Sequence, residues 1–213
     1  MRKLRVKICG ITTQETLRAS SKADFIGFVF YPKSPRFLTT EEAKKLCEKC
    51  RKGQKKVGLF VNSDHNLISF INDELSLDYI QLHGDETIEE IQILKKKIGN
   101  TKIIKSIGIS KKKDLQKSYN YENIVDMILL DTKYKDETMP GGNGVVFDWS
   151  ILKDLKLKKE WMLAGGINYF NLKNSVELTK APIVDISSGL EVKKGKKTSE
   201  KILEFLDLAG SFK

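Results

Sequence analysis

Phe25-Ile26-Gly27-Phe28-Val29-Phe30 is a run of six residues without a charged or polar side chain, and Thr39-x-x-Glu42 follows it. A Thr with a Glu three residues later is the pattern of a helix capping box. A strand without polar alternation is buried on both faces, which is typical of a parallel sheet covered by helices. This stretch therefore predicts one strand–helix unit of an α/β protein.

The same alternation recurs along the 213 residues of the chain. Eight strand–helix units in a chain of this length predict a single-domain (β/α)8 barrel over residues 1–213, with an open doubly wound sheet as the alternative. No G-x-G-x-x-G follows the first strand, which disfavours a dinucleotide-binding sheet. The predicted strands are Leu4–Cys9, Phe25–Phe30, Val57–Val61, Tyr79–Leu82, Lys102–Ser106, Met127–Leu130, Trp161–Ala164 and Ile183–Ile186. The predicted helices begin at Thr12 and Thr39 and then span Leu67–Leu75, Thr87–Ile98, Asp114–Ser118, Asp148–Leu155, Tyr169–Leu178 and Ser199–Leu208.

The charge of the chain is strongly basic, at +10, but only five of its 38 basic residues are arginine. Arginine is the residue that usually binds phosphates and base edges in nucleic acids. Short lysine runs beside polar helices instead indicate a solvated surface. The composition therefore predicts no nucleic-acid partner, although the positive charge helps to attract an anionic substrate.

Neither a membrane span nor a signal-peptide core is recognisable in the sequence. No apolar run approaches the roughly 20 residues needed to cross a bilayer, so no membrane partner is predicted. The three cysteines are an odd number in a chain without a secretion signal, which predicts a reducing, cytoplasmic location. The sequence leaves a monomer and a homodimer equally open.

Cys47-x-x-Cys50 invites a metal or redox interpretation, but it lies within the second predicted helix. The two histidines, His65 and His83, lack the spacing of a zinc site. We expect both cysteines to be structural, and we predict no metal.

Polar side chains and glycines follow most of the predicted strands. In a barrel of this kind, active residues lie at the carboxyl ends of the strands and in the loops after them. The sequence therefore predicts a site at one end of the barrel. The residues at these ends are Cys9-Gly10, Tyr31 to Arg36, His83-Gly84-Asp85, Asp131-Thr132, Gly165-Gly166 and Ser187-Ser188-Gly189.

The last two of these loops predict a phosphate site. Glycine allows backbone N–H groups to approach an anion closely, and barrel phosphate sites often follow strands seven and eight. A tight strand-to-helix turn is the alternative for Gly165-Gly166. Asp185, in the strand before Ser187-Ser188-Gly189, is expected to support these loops through hydrogen bonds as part of the substrate-binding set.

Cys9 and Asp131 are the candidates for proton transfer. Cysteine is by default a small buried residue. Cys9, however, ends a strand, and Lys7 leaves that strand on the same face, where its ammonium would favour the thiolate. Asp131 follows an apolar strand, where a carboxyl group can retain a proton and serve as an acid. A helix cap or a buried salt bridge is the alternative for Asp131.

Taken together, these strand-end segments resemble the phosphoribosylanthranilate isomerase family of tryptophan biosynthesis. The similarity runs along nearly the whole chain, and its first and last blocks are the most specific. The segments are Lys7 to Thr12, Ala23 to Phe28 with Ser34-Pro35-Arg36, Val57 to Asn62, Gln81 to Glu86, Leu129 to Thr132, Gly141 to Gly144 with Phe147-Asp148-Trp149, Leu163 to Gly166, and Val184 to Glu191.

The resemblance implies a cofactor-free Amadori rearrangement, the conversion of an aldose derivative into a ketose by general acid–base catalysis. It implies that Asp131 protonates the ribose ring oxygen, that Cys9 removes the proton from C2, and that Arg36 binds the anthranilate carboxylate. His83 is expected to line the substrate site. The polar segment 133–144 contains glycines and is expected to form a lid.

The chain departs from the family pattern in places. Asn143 stands where threonine is usual, and Ile167 to Asn171 replaces a turn that normally contains proline and glutamate. The histidine-pathway isomerase with the same rearrangement is the nearest rival, but it uses an aspartate at the position of Cys9. A non-catalytic phosphate-binding or nucleic-acid-binding barrel is the rival from a different class.

Overall fold

The computed structural model describes residues 3–133 and 147–212 of the chain. The predicted lid, apart from Lys133, and the Gly141 to Gly144 segment with Asn143 lie outside these residues. Eight parallel strands form a closed barrel in chain order, and β8 pairs back onto β1 from Arg5–Ile183 to Ile8–Ile186. This closure confirms the (β/α)8 prediction and contradicts the open-sheet alternative. The strands are β1 (Arg5–Cys9), β2 (Phe25–Val29), β3 (Lys55–Phe60), β4 (Tyr79–Leu82), β5 (Lys102–Ile109), β6 (Met127–Thr132), β7 (Trp161–Leu163) and β8 (Ile183–Ile186).

Helices connect most of the strands and cover the outside of the barrel. A two-stranded hairpin, which the sequence analysis missed, follows β8. Within the described residues, no helix has the length and apolar content that crossing a membrane requires. The helices are α1 (Gln14–Ala19), α2 (Thr40–Cys47), α3 (His65–Leu75), α4 (Ile88–Lys97), α5 (Leu115–Glu122), α6 (Leu172–Thr179) and α7 (Ser199–Gly210), and the hairpin strands are β9 (Glu191–Lys193) and β10 (Lys196–Lys197).

Some predicted helix ends are wrong. Thr13, not Thr12, caps α1 by accepting a hydrogen bond from the Thr16 amide at 3.2 Å. The predicted capping box at Thr39 of α2 is present. Thr87, where the fourth helix was predicted to begin, forms a capping box as well. Helix α6 begins at Leu172 because the side chains of Asn168 and Asn171 bond nearby backbone amides and hold the preceding residues in a loop.

The predicted helix at Asp148–Leu155 is reduced to a 3₁₀ turn at Trp149–Leu152. Trp149 and Leu152 are both buried, and side chains three residues apart align on one side of a 3₁₀ turn. This short turn therefore buries both apolar side chains without a longer helix.

Alternation along the strands decides which side chains enter the barrel. Met127 and Leu129 of β6 pack in an apolar cluster inside the barrel, and Asp131 continues the same face at the carboxyl end. Cys9, Val29 and Leu59 form a separate small cluster in the layer above. The apolar interior thus supports a polar layer at the mouth.

Candidate active site

One pocket at the carboxyl ends of the strands brings together most of the predicted site residues. Gly189 does not line this pocket. A Cβ atom on Gly189 would lie 2.2 Å from the Ile167 carbonyl oxygen, so the absence of a side chain allows the loops after β7 and β8 to touch. Lys7, which was predicted to support the site, is fully buried and does not line the pocket either. The predicted residues that line the pocket are Cys9, Arg36, His83, Asp131, Gly165, Gly166, Asp185, Ser187 and Ser188.

The neighbouring strand β2 leaves space for the Cys9 thiol. Cys9 is in register with Gly27 of β2, and a Cβ atom on Gly27 would lie 3.0 Å from the Cys9 Sγ atom. A side chain at Gly27 would therefore displace the thiol. This explains why a glycine interrupts the otherwise bulky apolar strand β2.

Lys7 forms a buried ion pair with Asp185, in which Lys7 Nζ lies 2.9 Å from Asp185 Oδ2. The two residues are opposite one another in the β1–β8 register. Asp185 therefore bonds to Lys7, whereas it was expected to support the phosphate loops. Its other oxygen, Oδ1, is buried without a hydrogen-bond partner among the described residues.

Burial and the Lys7 charge act in opposite directions on the pKa of Cys9. Burial raises the pKa of the Cys9 thiol, and Asp185 adds to this effect. Lys7 acts in the predicted direction and lowers the pKa of Cys9, but not enough to offset burial. The predicted direction of the Lys7 effect is therefore confirmed, but burial outweighs it and keeps the pKa of the Cys9 thiol above its ordinary value.

We predict that Lys7→Met raises the pKa of the Cys9 thiol further, because it removes the positive charge that lowers it. Thiolate absorbance, followed against pH in a background of Cys47→Ala and Cys50→Ala, measures Cys9 alone. An unchanged titration curve would contradict the effect of Lys7. Lys44→Met, a change at an exposed lysine, serves as the control.

A chain of polar contacts holds the carboxylate of Asp131. The Thr132 amide donates to Asp131 Oδ1 at 2.7 Å, and His83 Nε2 lies 3.3 Å from Asp131 Oδ2. The other imidazole nitrogen, Nδ1, lies 2.9 Å from Gln81 Nε2. Gln81 was missed by the sequence analysis, although its position two residues before His83 places both on the same side of β4.

The loop after β7 packs directly against Asp131. Gly165 and Gly166 have φ angles of +84° and +70°, which favour glycine. A Cβ atom on Gly165 would lie 2.3 Å from Thr132 Oγ1 and 3.1 Å from Asp131 Oδ1. Glycine is therefore required here both by the backbone conformation and by the close approach to the carboxylate.

Arg36 belongs to a buried charge cluster that the sequence analysis did not foresee. Its Nε and Nη2 atoms bond Glu191 Oε1 and Oε2 at 2.6 and 2.9 Å. Lys197 Nζ lies 3.0 Å from Glu191 Oε1 and 3.3 Å from Ser187 Oγ. Glu191 is present in the last family segment, but Lys197 lies on β10 and carried no signal, because the hairpin was not predicted.

These neighbours change the titration of the cluster. Burial opposes ionisation of Glu191, but the hydrogen bond from Arg36 and the charge of Lys197 lower the pKa of its carboxyl group. Burial lowers the pKa of Lys197, although Glu191 opposes this effect. The cluster connects Arg36 to the loop after β8.

Cys47 and Cys50 lie outside the lining of the pocket, at the end of α2 and just beyond it. Burial raises the pKa of Cys47 to about 12 and that of Cys50 to about 11, so both are poor nucleophiles and metal ligands. In the described part of the chain, no group of three or more His, Cys, Asp or Glu residues is arranged to hold a metal ion.

The closed barrel and its pocket at the carboxyl ends of the strands, which contains charged side chains, define a (β/α)8-barrel enzyme. The profile of the family described as N-(5'-phosphoribosyl)anthranilate (PRA) isomerase matches residues 6–208. The chain belongs to this family of isomerases.

Individual relatives agree with this membership. The chain is 41% identical over 204 residues to N-(5'-phosphoribosyl)anthranilate isomerase of Paracoccus denitrificans, with 94% of each chain covered. The crystal structure of phosphoribosyl anthranilate isomerase from Thermotoga maritima is similar with a TM-score of 0.86 and 35% identity, covering 97% of this chain and 98% of that one. A phosphoribosyl anthranilate isomerase solved with reduced 1-(o-carboxyphenylamino)-1-deoxyribulose 5-phosphate has a TM-score of 0.82 and 34% identity, at the same coverage.

Proposed function

We propose that Cys9 and Asp131 are the base and the acid in an Amadori rearrangement of N-(5-phosphoribosyl)anthranilate to 1-(2-carboxyphenylamino)-1-deoxyribulose 5-phosphate. The observation that carries this proposal is that both side chains, supplied by β1 and β6, line one pocket beside two glycine- and serine-rich loops. General acid–base chemistry needs such a pair on either side of the reacting carbons. The substrate and product follow from the family and from the ligand of the similar solved complex.

The first step opens the ribose ring. Asp131 donates a proton to the ring oxygen while the bond from C1 to that oxygen breaks. The lone pair of the anthranilate nitrogen forms a double bond to C1, which gives a positively charged Schiff base. The Thr132 amide keeps the carboxyl group of Asp131 oriented during this step.

The second step removes the proton from C2. The Cys9 thiolate accepts it, and the electrons of the C–H bond form a double bond between C1 and C2 and neutralise the nitrogen. The resulting enol then loses its hydroxyl proton and gains one at C1, which yields the ketose. Because burial raises the pKa of Cys9 in the resting protein, the thiol first releases its proton to solvent at the mouth of the pocket. The positive Schiff base favours the resulting thiolate.

The remaining predicted residues bind the ends of the substrate. We assign the phosphate to the backbone N–H groups of the loops containing Gly165-Gly166 and Ser187-Ser188-Gly189, since glycine-rich loops accommodate anions closely. Arg36 lines the pocket and is assigned to the anthranilate carboxylate, for which a guanidinium is a suitable donor. Asp185 Oδ1, which has no hydrogen-bond partner among the described residues, is assigned to a ribose hydroxyl.

We propose one catalytic domain over residues 1–213 that acts in the cytoplasm as a monomer or homodimer. Its partner is the phosphorylated small molecule, without a nucleic acid, a membrane or a cofactor. The unpaired cysteines suit a reducing compartment.

Turnover of N-(5-phosphoribosyl)anthranilate tests the function directly. We expect the purified protein to abolish the fluorescence of this substrate and to form the ketose, identified by mass spectrometry and NMR. The substrate of the histidine-pathway isomerase is the comparison, and we expect it to react far more slowly because Cys9 replaces the aspartate of that enzyme. A protein that leaves the anthranilate substrate unchanged would contradict the proposal.

A further inference from the structure

His83 and Gln81 contact the proposed acid without a role in the mechanism above. His83 Nε2 lies 3.3 Å from Asp131 Oδ2, and the side chains of both residues are about one-tenth exposed. Gln81 is fully buried and lies 2.9 Å from the other side of the imidazole. These three side chains form a line from the interior of the barrel to the acid.

In one protonation state, this line of side chains cannot supply the catalytic proton. If His83 is neutral and carries its proton on Nε2, Asp131 accepts hydrogen bonds on both oxygens, one from His83 and one from the Thr132 amide. The pair then holds no proton that could pass to a leaving oxygen. An acid in this position needs one more proton between Asp131 and His83.

Gln81 is suited to that additional proton. In the observed orientation its Nε2 faces His83 Nδ1, while its Oε1 is buried without a hydrogen-bond partner among the described residues. Half a turn of the amide group exchanges these two nearly isosteric atoms and presents Oε1 to Nδ1. An N–H at Nδ1 would then have an acceptor, and His83 could either be an imidazolium or accept a hydrogen bond from protonated Asp131.

We propose that Asp131 and His83 share the catalytic proton, and that Gln81 accepts the Nδ1 hydrogen of His83 in this state. The acid of the reaction is thus a carboxyl–imidazole pair, with His83 as a positioning residue that acts through Asp131. This inference rests on the proposed role of Asp131. Because the proposed substrate carries phosphate and carboxylate charges, its binding favours uptake of a proton by a pair in the same pocket.

Other charged groups also influence this pair. Asp185 interacts electrostatically with both Asp131 and His83, and Lys7 neutralises Asp185 through their ion pair. In the part of the chain that the structure describes, the other titratable or charged residues that line the same pocket are Cys9, Tyr31, Arg36 and Asp185. Lys105 donates to the Gly84 carbonyl oxygen, next to His83, and pairs with Glu86. The variants that test the proposal leave all of these unchanged.

The pH dependence of kcat/KM tests the shared proton. His83→Gln retains an amide N–H that can orient Asp131 but cannot titrate, so we expect the alkaline limb to move down by about one pH unit or more. Activity that is lost at alkaline pH is then recovered as the pH falls. Gln81→Met removes the acceptor for Nδ1 and is expected to shift the limb in the same direction. His65→Gln, at the other histidine of the chain, is the control that leaves the profile unchanged.

An NMR titration decides the question without turnover. The His65→Gln protein retains only His83, because the chain has two histidines. Adding Asp131→Asn should lower the midpoint of the imidazole titration, since the carboxylate that contacts Nε2 is gone. An unmoved midpoint, or a His83→Gln profile superimposable on that of the unmodified enzyme, would overturn the shared proton. If the unmodified protein lacks isomerase activity, the proposed function fails while this titration still decides the pair.

Discussion

Cys9→Ala and Asp131→Asn are each expected to lower kcat by about 10²–10⁴-fold, the usual contribution of a positioned acid or base. Alanine cannot accept the proton from C2, and asparagine cannot donate one to the ring oxygen. Neither side chain is assigned to the phosphate or the carboxylate, so KM should change little. Steady-state kinetics with N-(5-phosphoribosyl)anthranilate measure both parameters.

Two matched replacements control for general effects. Cys50→Ala removes a thiol outside the pocket lining, and Asp154→Asn removes a carboxylate whose side chain is 76% exposed. Both should retain the kcat of the unmodified enzyme. If Cys9→Ala and Asp131→Asn also retained it, the two side chains would not be the base and the acid. Other side chains of the pocket would then carry out the proton transfers.

Lys7→Met is expected to lower the free energy of unfolding by about 3–5 kcal/mol, because it leaves the Asp185 carboxyl buried without its partner. The side chains of Lys7 and Asp185 are 0% and 8% exposed, so water cannot replace the lost ion pair. Urea denaturation followed by circular dichroism measures the change. Lys7→Met with Asp185→Leu should regain much of the stability, since no buried charge remains.

An exposed pair provides the matched control for this prediction. Lys22 and Asp207 are 66% and 65% exposed, so Lys22→Met should cost less than about 1 kcal/mol. Equal losses from Lys7→Met and Lys22→Met would show that the buried pair contributes no more to the free energy of unfolding than the exposed pair.

The loss in Lys7→Met should also depend on pH. Burial raises the pKa of Asp185, and the charge of Lys7 opposes this rise. In Lys7→Met that charge is absent, so the pKa of Asp185 should rise further. A carboxyl group with a raised pKa in the folded state binds a proton more tightly there than in the unfolded chain, so protonation favours folding. The stability gap between Lys7→Met and the unmodified protein should therefore narrow as the pH falls.

Buried strands were the most predictable part of the fold. Tyr79–Leu82 and Ile183–Ile186 were predicted with the bounds that the structure shows, because their apolar runs are bordered by polar or turn-forming residues. Strand β5 was predicted too short. It extends to Ile109 because Ile107 to Ile109 pair with the end of β6, and such pairing depends on a distant segment.

Helix ends and the hairpin were less predictable. The start of α1 depended on whether Thr12 or Thr13 bonded the first turn, and both residues offer the same hydroxyl. The β9–β10 hairpin contains Lys193 and Lys196 and lacks an apolar run, so it carried no strand signal. Its placement instead follows from contacts such as that between Lys197 and Glu191.

Sequence alone determined the barrel, the end of it that carries the pocket, and the candidates Cys9 and Asp131, since strand alternation and strand ends are local properties of the chain. Only the tertiary structure decided which residues contact the side chains of the site. Lys7 pairs with Asp185, which is 178 residues away, and Glu191 holds Arg36 from 155 residues away. The raised pKa of the Cys9 thiol was decided in the same way, because burial in a closed barrel outweighs the charge of Lys7. No local sequence pattern measures burial.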